Sequence, residues 1–186
     1  MKKKHIIAFV SLSLLFVAVQ VFEKVSAAAE WRMLTEQSMV LYKAGRYEQA
    51  IEVAELALST AEKGFGGNDL NVFTSLNMLG LMYCENGRFA DAEPHYRRAV
   101  AIGENLRDSD HADLAGSFNM LGIVYHELNH YSQAEICYKR ALAIKEKALG
   151  VTDPGVVSVL KALAVLYRDT HRIEEAKALE ERVENI

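Results

Sequence analysis

Cys84 and His126 are the first residues to ask about chemistry, because a thiol near an imidazole makes an activated nucleophile or part of a metal site. They stand 42 positions apart, and the same step adds Tyr42 below them and Arg168 above. A catalytic thiol–imidazole pair needs a third group to orient the base, and zinc takes three or four protein ligands. Glu85 and Glu127 adjoin the pair in sequence, but nothing fixes their direction. His95, His111 and His130 have no ligand spacing. The chain has no Gly-rich phosphate loop, Gly-x-Ser-x-Gly elbow or His-Glu-x-x-His pair. The pattern predicts no catalytic residue, no metal and no cofactor.

The 42-residue step is the organising feature of the elements that carry these positions. Residues 72–113 hold Leu76, Leu79, Gly80 and Tyr83, then a turn at Asn86-Gly87-Arg88, then Phe89, Ala92, Tyr96 and Ala99. One step on, the pattern reads Phe118, Leu121, Gly122, Tyr125, Tyr131, Ala134, Tyr138 and Ala141. A further step gives Leu160, Leu163, Ala164, Tyr167, Ile173 and Ala176, and one step back gives Leu34, Ser38, Leu41, Tyr47, Ala50 and Ala57. A period held four times means like units, each burying its apolar face on its neighbours. The i, i+3, i+7 spacing of Leu76, Leu79 and Tyr83 is helical. Second helices are expected over residues 47–63, 89–105, 131–149 and 173–184.

Ser38, Gly80, Gly122 and Ala164 share one small position, expected to admit a close second helix across from Ala50, Ala92, Ala134 and Ala176. The turn position reads Gly45, Gly87, Asn129 and His171, residue types that accept the left-handed conformation ending a helix. Asn68-Asp69, Asp108-Ser109-Asp110 and Thr152-Asp153-Pro154 supply caps, and Pro94 is expected to bend its helix slightly.

Read together, Leu79-Gly80, Tyr83, Gly87-Arg88-Phe89, Ala92, Tyr96 and Ala99 make the unit resemble a tetratricopeptide repeat. Its length is similar to the longer form found in kinesin light chains and their bacterial relatives. The resemblance implies an all-α, right-handed superhelix of four helix–turn–helix repeats, at about residues 31–71, 72–113, 114–155 and 156–186. It implies a scaffold rather than an enzyme. In that family one first-helix position points into a concave groove, where Asn side chains hydrogen-bond a bound peptide's backbone. Carried over, this singles out Asn77 and Asn119, with Thr35 and Lys161 as departures at the ends. A deeper row, Met39, Leu81, Ile123 and Val165, is wholly apolar, and Cys84, His126 and Arg168 line the same side. The rival reading makes the two asparagines solvated and the apolar row core. Cys137 falls toward the outer side, too far from Cys84 for a bridge that needs Cα atoms within about 7 Å. The carboxylate-clamp pattern is poorly matched, since only Arg32, Lys161 and Arg168 offer positive charge.

The N-terminus carries a separate signal. Lys2, Lys3 and Lys4 precede an uncharged apolar run, residues 6–22, followed by Val25-Ser26-Ala27-Ala28-Ala29 with small residues at peptidase spacing. Residues 1–27 are predicted to be an export signal, cut after Ala27 or Ala29, ahead of a repeat domain at 28–186. The alternative is an uncleaved inner-membrane anchor. Either way the repeats are expected in the periplasm or outside the cell. Without residues 1–27 the chain holds 17 basic and 24 acidic residues, a poor match for nucleic acid. The expected partner is a protein or peptide segment. Glu180 and Glu184, in place of Tyr138 and Leu142, are expected to let the last helix face water as a cap. The competing expectation is self-assembly through that end, around Val183 and Ile186.

Overall fold

The computed structural model describes the backbone of residues 2–106 and 111–186, with side chains over 16–106 and 112–186. The described residues form eight α-helices and one 3-10 turn, with no strand. They divide into an N-terminal unit ending at Ser75 and a second unit, Leu76–Ile186.

In the first unit, α1 (Lys2–Lys43) packs on α2 (Tyr47–Phe65). Helix α1 is unbroken across the boundary the sequence draws between residues 1–27 and the repeats. Among the residues whose side chains are described, 16–106 and 112–186, no helix is long and apolar enough to cross a membrane. Leu34, Ser38, Ala50, Ala54 and Ala57 form the buried seam of the pair. The chain then enters α3 (Leu70–Glu85), where Oδ1 of Asp69 accepts from the Asn71 N–H at 2.8 Å and caps the helix.

The second unit takes in the rest of α3 and α4 (Phe89–Gly103), α5 (His111–Glu127), α6 (Tyr131–Leu149), α7 (Val157–Asp169) and α8 (Ile173–Glu184). Helix α4 runs through Pro94 and ends earlier than the sequence predicts, while α6 and α8 keep the predicted bounds. The expected cap at Asp108-Ser109-Asp110 lies outside the described residues. Asp153 caps as expected, accepting from the Gly155 N–H at 2.7 Å, but what it opens is a 3-10 turn, Pro154–Val156, that leads into α7.

Four turns close the first helices alike. Gly45, Gly87, Asn129 and His171 have φ of 72°, 71°, 60° and 61°. In each turn the next residue's N–H returns to a carbonyl five back, as from Arg88 to Tyr83 at 2.8 Å and from Arg172 to Tyr167 at 2.7 Å. These bonds satisfy the carbonyls that a helix end leaves orphaned.

The small position admits the second helix through an aromatic ring. A Cβ built on Gly80 would lie 2.5 Å from Cε2 of Tyr96, and one on Gly122 would lie 2.6 Å from the Tyr138 ring. The socket therefore holds a tyrosine ring from the second helix. Ala92 and Ala134 are fully buried.

Candidate functional site

The predicted groove residues fall in both units, so each unit is taken alone. In the first, Thr35 donates its hydroxyl to the Trp31 carbonyl at 2.8 Å, and Trp31 Nε1 donates to Ser75 Oγ at 2.8 Å. Thr35 is thus satisfied within its own helix. Met39 is half-buried, and Tyr42 stands edge-on to Tyr47 with centroids 5.7 Å apart.

In the second unit, side-chain bonds tie the first helices of successive pairs together. Ser117 Oγ on α5 donates to Asn77 Oδ1 on α3 at 2.7 Å. One repeat on, the residue in place of Ser117 is Val159, which has no hydroxyl. Asn119 Oδ1 is correspondingly buried with no hydrogen-bond partner. A buried carbonyl oxygen without a donor is uncommon in a folded protein. Leu81 and Ile123 beside these amides are half-buried, whereas Val165 on α7 is 48% exposed and Lys161 is exposed.

Cys84 and His126 take no part in a common centre. The Cys84 thiol is half-buried; burial first, then the Glu85 and Glu127 carboxylates, push it up to about 11. At neutral pH it stays protonated, the opposite of an activated nucleophile. His126 Nε2 meets Asp169 Oδ2 at 2.9 Å, and its ring packs on Tyr131. Arg168 Nη2 pairs with Glu180 Oε1 at 2.6 Å, so the predicted water-facing Glu180 is engaged. Cys137 is a free, buried thiol, also raised to about 11 by burial. Among the described residues no three His, Cys, Asp or Glu side chains cluster to hold a metal.

Sequence reasoning missed two features. One is the Ser117–Asn77 bond, whose only trace is the run Ser75, Ser117, Val159 at one repeat position. The other is a cleft of about 300 Å³ lined by residues of α4, α5 and α6: Arg97, Val100, Leu121, Tyr125, Gln133, Ile136 and Cys137. Exposed Ile136, where other repeats have Pro94 and Ala178, was its only sequence signal.

The sequence profile described as tetratricopeptide repeat matches residues 32–105 and, overlapping them, 71–147. The crystal structure of BtubC (BKLC) from P. vanneervenii is similar with a TM-score of 0.76 and 24% identity, covering 83% of this chain and 61% of that one. This chain thus spans about three-fifths of BtubC. A putative kinesin light chain from Podosopora anserina, with nearly identical TPR-like repeats, gives a TM-score of 0.72 and 23% identity over 83% of this chain and 73% of its own. The apo form of RapI gives 0.74 and 16%, covering 84% of this chain and 42% of that one. Identities at this level carry the fold, an all-α array of helix–turn–helix repeats. No curated protein sequence matches the chain.

Proposed function

We propose a function from one premise: the chain belongs to the tetratricopeptide repeat family, whose helical-repeat scaffolds typically serve protein–protein interaction. On that premise the protein is an exported, non-catalytic scaffold that holds an extended segment of a partner protein against α3 and α5. The observation that carries the reading is the Asn119 amide, half-buried on α5 with its Oδ1 unbonded, one helical turn from half-buried Ile123. An extended peptide offers a backbone carbonyl to the Asn119 amide N–H and an apolar side chain to Leu81 and Ile123. The Asn77 oxygen is already bonded to Ser117. Export rests on the lysine start, the apolar run and the small residues behind it.

The test is affinity capture from a cell-envelope extract, with the wild-type chain run beside Asn119→Ala and Ile123→Glu. A partner held by wild type and lost by both folded variants supports the groove. A partner held equally by all three moves the site elsewhere, the α4–α6 cleft being the next place to look. A bait that recovers only itself makes self-assembly the better account.

A further inference from the structure

The small residues behind the apolar run have a use inside the fold, and that changes what the run is for. Helix α1 passes without a break through Val25-Ser26-Ala27. In other repeats the position of Ala27 is a helix boundary, occupied by the capping residues Asp69 and Asp153. Ala27 caps nothing. Its side chain lies against Gly64 of α2, so closely that a Cβ on Gly64 would collide with the Ala27 methyl. Ala27 and Ala28 are half-buried there. A cut after Ala27 would remove this contact. It would also put an ammonium group on the first turn of an uncapped helix, where the peptide dipoles are already positive.

Upstream of the contact, Phe16, Val17, Val19, Val21, Phe22 and Val25 are all exposed, Phe22 by 74% and Val25 by 63%. At about 100° per residue these six side chains point all round the helix. A protein partner needs one apolar stripe, whereas a hydrocarbon surrounding needs apolar side chains on every side. In sequence the run extends back to Ile6 and is bounded by Lys2, Lys3 and Lys4. Residues 6–22 are 17 in number, at the short end of what a bilayer core of about 30 Å requires, and lysines at that end remain inside.

We infer that the N-terminal segment is a retained membrane anchor, continuous with the first helix pair, and that Ala27 serves helix packing rather than cleavage. The occupant of the apolar surface is the lipid bilayer. This rests on the export reading above and deepens it.

The full chain, expressed in bacterial cells, tests it through three readouts: alkaline-carbonate extraction of membranes, intact mass, and digestion by protease added to spheroplasts. The expected result is a chain with its N-terminus intact, resistant to carbonate and digested from outside. A soluble product beginning at Ala28 or Glu30 overturns the anchor and leaves export standing. An intact, carbonate-resistant chain protected from outside protease keeps the anchor and sinks export. An intact soluble chain overturns both.

Discussion

Tyr96 fills the volume that any side chain on Gly80 would need, and Tyr138 does the same at Gly122. Sixteen residues separate the partners in both cases, and at the ends of the chain the same interval joins Ser38 to Ala54 and Ala164 to Glu180. The first residue gains a side chain where the second is not tyrosine. Gly80→Ala is therefore expected to cost roughly 1–3 kcal/mol, as overpacking does. Gly80→Ala/Tyr96→Ala should be no less stable than Tyr96→Ala alone in urea unfolding; additive losses would refute the socket. Sequence periodicity identified both residues but not their meeting, because a period assigns faces within one helix and not pairs across a turn. The asparagines separate for a similar reason. Asn77→Ala breaks a bond to Ser117 and is expected to cost about 1 kcal/mol. Asn119→Ala removes an unmet oxygen and is expected to stay within about 0.5 kcal/mol of wild type. Thermal or urea unfolding of the two variants side by side checks this.

At the scale of elements, the turns were legible because glycine and asparagine are among the few residues that end a helix in the left-handed region. The ties between helices were not legible, since they depend on where long side chains reach. Glu135 on α6 shows this: it accepts from Tyr167 on α7 at 2.9 Å and from Arg172 beyond α7 at 2.7 Å. The Arg172 guanidinium also lies 3.9 Å from the Tyr167 ring centre. Burial alone would raise the Glu135 carboxyl, but hydrogen bonds from Arg172, Lys139 and Tyr167 outweigh it and hold the group at about 2, against 4.5 in an open chain. With the folded value depressed, the unfolded chain binds the extra proton, so stability rises with pH across this window. The contribution is present above about 4.5 and is lost as pH falls toward 2. Glu135→Gln should be less stable than wild type at neutral pH and show a flatter decline between pH 5 and 3 in urea titrations. An unchanged slope would mean that other carboxylates carry the acid sensitivity.

At the scale of the molecule, the 42-residue period is a statement about interchangeable parts. Excising residues 91–132 joins the start of α4 to α6, so Tyr138 meets Gly80 and Glu135 still meets Arg172. That shortened chain is expected to fold cooperatively, with lower stability because one helix pair is gone. Excising residues 91–122, which is out of phase, should not; far-ultraviolet circular dichroism with a thermal ramp distinguishes them. The array was readable from sequence because each unit repeats the same burial problem. At the N-terminus Val-Ser-Ala spells a peptidase site and a helix-packing patch with the same letters, and the Ala27–Gly64 contact is what favours the patch in the inference above. The unbroken α1 has a mechanical consequence. At about 1.5 Å per residue it is a rod of roughly 60 Å with no swivel along its length. Tension or tilt applied at its N-terminal end is delivered as leverage on the α1–α2 seam, and no slack linker absorbs it first.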